Sequence, residues 1–162
     1  MNHPDYKVKA IGLLKTEFET SDDTPIQPAF SQSIGKAIIL DEYVPALRSL
    51  DSFTHIYLIY WFHKAKEPDL IVTPYLDNEA HGLFSTRAPA RPNPIGISIV
   101  EIINIENNVI TFRGADMLND TPLIDIKPYV KRFDEMNDVK DGWLDRIGIR
   151  DNKTTADDRF EG

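Results

Sequence analysis

Apolar residues in this chain come in short runs, and proline, glycine or asparagine cuts almost every one. Residues 8–15 (VKAIGLLK) read as a strand with a glycine interruption, and residues 34–40 (IGKAIIL) as a second strand. Between them, residues 16–28 are polar, acidic and proline-punctuated, which predicts a loop. Residues 55–63 (HIYLIYWFH) are aromatic, β-branched and nearly continuously apolar, the pattern of a central strand buried on both faces. A short extended run, LIVT, follows within residues 68–74. Residues 95–105 and 109–113 flank Glu106-Asn107-Asn108, and asparagine tolerates the left-handed backbone of a hairpin turn. Residues 123–129 (LIDIKPY) alternate apolar and charged positions, as a half-buried strand does. Residues 41–50 (DEYVPALRSL) read as a short helix with Asp41 as its N-cap. Short strands broken at this spacing predict an all-β barrel or sandwich, and parallel βαβ architecture fits poorly.

The bulk numbers narrow the class. A chain of 162 residues is long enough for one domain with a real core. No apolar run approaches the roughly 18 residues of a membrane span. The start, MNHPDYKVK, lacks the apolar centre of a signal peptide, so a cytoplasmic protein is expected. There are no cysteines, which excludes disulfides and thiolate metal sites. The formal net charge of -8 argues against an unassisted nucleic-acid binder, although a local basic patch can override it. Acids outnumber bases over residues 134–162, and disorder is expected for the last dozen. Within that stretch, Asp141-Gly142-Trp143-Leu144 could dock as a short helix or contact a partner subunit. The expected organisation is a domain over residues 1–133 with an extension over 134–162.

Residues 80–100 change the picture, because they contain no acid at all in an acidic protein. Arg87, Arg91 and Asn93 are separated there by Pro89, Pro92 and Pro94. Prolines stiffen such a segment and lower the entropy lost when it meets a ligand. Arginine offers a planar donor fork suited to carboxylate or phosphate. The segment reads either as a binding loop for something anionic or as a rigid surface loop with solvated arginines. Further on, Asn119-Asp120-Thr121-Pro122 is a turn signal. Asp125, Lys127 and Tyr129 fall on one strand face, forming either a polar active-site wall or a solvated face. His63-Lys64 ends the aromatic run at what could be a pocket mouth. The four histidines have no HxH or HExxH spacing, so no metal site is expected. Serine-hydrolase, P-loop and dinucleotide motifs are missing from the sequence.

Four blocks in order carry a resemblance. They are Pro25-Ile26-Gln27-Pro28; Phe53-Thr54-His55 through Trp61-Phe62-His63; Phe84-Ser85-Thr86-Arg87 through Arg91-Pro92-Asn93-Pro94-Ile95-Gly96; and Asp120-Thr121-Pro122 through Asp125-Ile126-Lys127-Pro128-Tyr129. On these the chain resembles the TsaA-like, or TrmO, family over residues 6–132. The resemblance implies a small β-barrel of short, mostly antiparallel strands with one or two short helices. It implies a homodimer that binds S-adenosylmethionine near the subunit interface. The implied activity is methylation of the exocyclic amine of threonylcarbamoyl-adenosine, next to the anticodon of tRNA. By motif position, Gln27, Pro28, Ala29, His63, Lys64, Arg87, Ile97, Asp120, Thr121, Pro122 and Leu123 are implied to line the cofactor site. Asp125, Lys127 and Tyr129 are implied around the reacting amine. Asp125 is the expected proton acceptor, and Lys127 its tuner or the holder of a substrate phosphate or carboxylate. Arg91 and Asn93 are expected to contact substrate, Arg91 alternatively serving as loop support. Bacterial tRNA-modifying members carry a further C-terminal domain, whereas this chain is expected to stop soon after the barrel. Two other readings keep less of this: a methyltransferase with a different acceptor, and a non-catalytic module that binds S-adenosylmethionine or an adenine nucleotide.

Overall fold

The computed structural model describes residues 4–25, 29 and 31–147. Eight strands form among them: β1 Gly12–Lys15, β2 Ile34–Ile39, β3 His55–Trp61, β4 Ile71–Val72, β5 His81–Gly82, β6 Ile95–Glu106, β7 Val109–Arg113 and β8 Thr121–Pro128. Six of them close into a barrel in the order β1-β2-β7-β6-β3-β8, with β8 pairing back onto β1. Every neighbouring pair is antiparallel. The all-β expectation is met, and the barrel is the form it takes. Among the described residues, helical structure is limited to the single turn α1, Lys131–Asp134, and several short 3-10 turns.

Alternation along the strands decides what goes inside. Leu14, Ala37, Ile39, Ile56, Leu58, Val100, Ile110, Phe112 and Leu123 fill the interior. Two glycines leave room for rings in this small space. A Cβ on Gly35 would sit 2.5 Å from the Phe112 ring, and one on Gly96 would sit 2.3 Å from the Tyr60 ring. The rings therefore lie across bare backbone, the close approach that glycine in a strand permits.

The hairpin turn falls where the asparagines predict, with Asn107 at φ 53°. Three local expectations need correction. The first strand begins at Gly12 rather than Val8, because residues 4–10 are exposed and have nothing to pack against. Asp41–Leu47 is a 3-10 helix with Pro45 inside it, and Leu40, not Asp41, occupies the cap position. Proline lacks the N–H that a continuing α-helix would use there. Finally, β3 is not buried on both faces: Ile56, Leu58 and Tyr60 are buried, while Tyr57, Ile59 and Trp61 are only half-buried on the outside.

A bulge in β8 matters for function. Tyr60 pairs with Leu123 but Ile59 pairs with Asp125, so Ile124 is an extra residue. Unbroken alternation from the buried Leu123 would point Asp125 inward. The insertion re-aims the strand, as bulges do. Asp125 and Lys127 thus share the outer face, joined by an ion pair of 2.9 Å.

Gly96→Ala is expected to destabilise the protein by about 1–3 kcal/mol, because the Tyr60 and Phe62 rings packed on this backbone would have to shift. Chemical denaturation measures this, and unchanged stability would show that the rings yield freely.

Candidate functional site

A cavity of about 710 Å³ opens at one end of the barrel. Its volume falls within the ordinary range for small-molecule sites. Several stretches of chain build it, four of which supply most of its lining. The end of β3 and the residues after it supply Tyr60, Phe62, His63 and Lys64. The start of β6 supplies Ile95, Gly96 and Ile97, the loop from β7 to β8 supplies Asp116, Met117 and Leu118, and β8 adds its first residue, Thr121. The acid-free segment contributes Phe84 through Pro89 and Arg91.

That segment is neither a bare surface loop nor a free-standing arginine display. It has its own small core, in which Val72, Leu83, Ala88 and Ala90 are buried against Tyr75. Arg91 stitches it together. Its Nη1 donates to the carbonyl of Thr86 at 2.9 Å and, more weakly, to those of Leu83 and Ala88, both at 3.4 Å. The guanidinium also lies 5.8 Å over the Phe84 ring, in cation–π range. Loop support, one of the two roles expected for Arg91, is therefore visible in its contacts.

The 3-10 turn Gly142–Arg146 reaches back to the same rim. Trp143 stacks on His81 with centroids 4.4 Å apart, and its indole N–H donates to the Ser85 carbonyl at 2.8 Å. Arg146 pairs with Glu79 at 3.2 Å. Of the two arrangements expected for residues 141–144, the structure shows a short helix docked on the chain's own cavity wall.

Electrostatics inside the cavity centre on a hydrogen-bonded row. Tyr60 Oη lies 3.0 Å from Ser98 Oγ, and the Ser98 hydroxyl donates to Asp116 Oδ1 at 2.7 Å. Burial pushes the Asp116 carboxyl up to about 7, while the Ser98 hydrogen bond and the Arg87 charge pull it down. Burial, then the Asp116 charge, raises the Tyr60 hydroxyl well above its ordinary value. At the mouth, His63 Nδ1 lies 3.3 Å from the Thr121 hydroxyl. Although His63 is exposed overall, the protein packed around its ring lowers its pKa, and Lys64 acts in the same direction. Lys64 donates to the Glu19 carbonyl at 3.0 Å.

Of the residues implied to bind the cofactor, His63, Lys64, Arg87, Ile97 and Thr121 meet in this cavity. Asp120 stands beside it at φ 60°, paired with Lys15. Leu123 is buried in the barrel interior, and Pro122 pairs with Leu13 on β1. Ala29 is exposed, and Gln27 and Pro28 lie outside the described residues. Asn93 is exposed and outside the lining. Asp125, Lys127 and Tyr129 are also outside it. Tyr129 packs on Tyr57 and His55, with centroids 5.8 and 6.5 Å away, on the barrel's outer side. Sequence reasoning missed Tyr60, Ser98 and Asp116. Tyr60 and Ser98 looked like ordinary strand residues, and Asp116 sits in no recognisable motif. Among the described residues no group of three or more His, Cys, Asp or Glu could hold a metal ion, and no helix is long and apolar enough to cross a membrane.

Fold and site together define a small all-β protein with a partly cationic ligand cavity at one barrel end. The tRNA-methyltransferase O N-terminal domain matches residues 13–135, and the chain belongs to that family. An S-adenosyl-L-methionine-binding protein of Archaeoglobus fulgidus is 40% identical over 133 residues, covering 82% of this chain and 96% of that protein. A tRNA (adenine(37)-N6)-methyltransferase of Homo sapiens is 29% identical over 153 residues, covering 90% of this chain but only 34% of the human protein. The crystal structure of TrmO from Pseudomonas aeruginosa superposes with a TM-score of 0.73 at 31% identity, over 86% of this chain and 63% of that one.

His63 is expected to titrate below the ordinary 6.5, and so to be neutral at pH 7. An NMR titration of the imidazole resonances checks this, and a midpoint above 6.5 contradicts it.

Proposed function

We propose that this protein binds S-adenosylmethionine in the barrel-end cavity and methylates the exocyclic N6 amine of an adenosine in tRNA. The acceptor in this reading is threonylcarbamoyl-adenosine next to the anticodon, which makes the protein cytoplasmic. One observation carries the reading: in a chain of this family, His63, Lys64, Arg87, Ile97 and Thr121 converge on a single cavity. The donor set fits the cofactor. Lys64 and Arg87 suit a carboxylate, Thr121 and His63 offer hydrogen-bonding groups, and Phe62, Ile97, Met117 and Leu118 give apolar walls for a purine. When bound, the cofactor supplies a methyl group already activated on a sulfonium. The protein's task is then to fix the acceptor nitrogen in line with it, which is a problem of positioning. Lys64, Arg87 and Arg91 gather positive charge at the cavity of an acidic protein, which favours a polyanionic acceptor.

A second copy of the chain belongs to this proposal. Outside the barrel, Ile95, Ile97 and Ile99 are 40%, 51% and 41% exposed. They pair across the sheet with the half-buried Trp61, Ile59 and Tyr57. Six apolar side chains in two adjoining rows form a surface that water disfavours. Because Ile95 and Ile97 also line the cavity, a copy packed here would sit against its mouth. Asp125 and Lys127, each paired with a residue of that face, would border the acceptor's approach.

A narrower reading has an observation of its own. The chain spans nearly all of the A. fulgidus S-adenosyl-L-methionine-binding protein but a third of the human methyltransferase. On that reading the protein binds the cofactor without modifying tRNA, or modifies another acceptor.

Calorimetry with S-adenosylmethionine and mass spectrometry of tRNA from a deletion strain separate these readings. Binding together with loss of the methylated threonylcarbamoyl-adenosine supports the proposal. Binding with unchanged tRNA supports the narrower one. Ile99, which does not line the cavity, tests the second copy. Ile99→Asp is expected to convert a dimer to monomers by light scattering and to weaken cofactor binding.

A further inference from the structure

Asp116 is the only acid among the described residues that line the cavity. The backbone on either side of it is fixed by bonds that do not involve its carboxylate. Ala115 N–H donates to the Ser33 carbonyl at 3.1 Å, and the Ala115 carbonyl accepts from Ser31. The Met117 carbonyl accepts from Thr16 Oγ1 at 2.8 Å. A carboxylate buried this far at a cavity wall costs stability unless something is gained by it.

The proposed reaction has a matching need. An exocyclic adenine amine has its lone pair drawn into the ring, and further into a carbonyl when carbamoylated. It must lose a proton as it gains a methyl group. Building on the functional reading above, we infer that Asp116 accepts this proton, with Ser98 and Tyr60 as its positioning residues. The amine's N–H bond breaks and the proton passes to the carboxylate. The freed nitrogen pair forms the N–CH3 bond while the S–CH3 pair returns to sulfur. Asp116 ends neutral and later gives its proton to solvent through the cavity mouth. Asp125, the acceptor expected from sequence, lies on the outer face and is engaged by Lys127.

The surrounding groups suit the role. Tyr60 from β3 and Ser98 from β6 form a hydrogen-bonded row that ends on Oδ1. Arg87 acts on the carboxyl from the acid-free segment, and His63, Lys64 and Arg91 face the same cavity. With its pKa raised to about 7, the carboxylate is a stronger base than an exposed aspartate and is still ionised in good part near neutrality. The neighbouring His63 is shifted the other way.

The test compares wild type with Asp116→Asn, Ser98→Ala and Asp125→Asn in single turnovers, using S-adenosylmethionine and tRNA purified from a strain lacking the enzyme. Asp116→Asn is expected to slow methyl transfer by about 10²–10⁴-fold, the usual range for a lost general base. It should still bind the cofactor and melt no lower than wild type. The wild-type rate should rise with pH through the Asp116 titration, and that limb should disappear in Asp116→Asn. Ser98→Ala removes a hydrogen bond that favours the carboxylate, so its limb should move to higher pH. A readout independent of turnover is proton release when S-adenosylmethionine, a sulfonium cation, binds, from calorimetry near pH 7 in buffers of different ionisation heat. Asp116→Asn should abolish it. The inference is overturned if Asp116→Asn keeps the wild-type rate and pH profile, if it loses cofactor binding, or if Asp125→Asn alone carries the loss. Should Asp116→Asn not fold, the Ser98→Ala limb decides, and an unmoved limb overturns the inference. A wild type that binds no S-adenosylmethionine and methylates no tRNA overturns the functional reading itself, and this inference with it.

Discussion

A closed barrel of six strands has an interior just wide enough for one packed set of side chains. Here that set includes Phe112 and Tyr60, which fit only because Gly35 and Gly96 carry no side chain. Nothing the size of a ligand can enter such an interior. Binding is thereby forced to a barrel end, and the loops at that end have to supply the walls. Much of the molecule's irregular structure answers this constraint. The acid-free segment carries its own small core because it must hold a shape away from the main one. Arg91 is drawn into that task, and Arg87 and Lys64 line the cavity beside it.

Where local chemistry decides, the sequence was readable. Asn107 and Asp120 both adopt the left-handed backbone that their turns call for, and strand alternation in β7 follows the apolar pattern. Residues set apart by motif, such as His63, Lys64, Arg87 and Thr121, line one cavity. What escaped reading depends on long-range pairing. The β8 bulge is set by register against β3, so the outward turn of Asp125 cannot be read from the alternation of residues 123–129. Ser98 and Asp116 are eighteen positions apart and meet because β6 and β7 are neighbours in the barrel. The apolar run of β3 was legible as apolar, but not why. Its outer residues are hydrophobic yet only half-buried among the described residues.

Polar and apolar surfaces are divided unusually between the two sides of the same strands. Inside β3 and β6 sit Tyr60 and Ser98, which lead hydrogen bonds to Asp116. Outside sit isoleucines and aromatics. The usual arrangement in an antiparallel sheet is the reverse. A hydroxyl row inside a barrel is tolerated because each member has a partner, and the burial that makes it costly also shifts the acidity of its terminal group.

The docking of Trp143 on His81 and Ser85 has a bearing on where this protein can be divided. The family match ends at residue 135, and the last barrel strand ends earlier, at Pro128. Trp143 and Leu144 nevertheless form part of the cavity wall. The segment that completes the fold and the segment that completes the pocket stop at different points along the chain. A domain trimmed to the barrel would keep its architecture and lose a side of its receptacle.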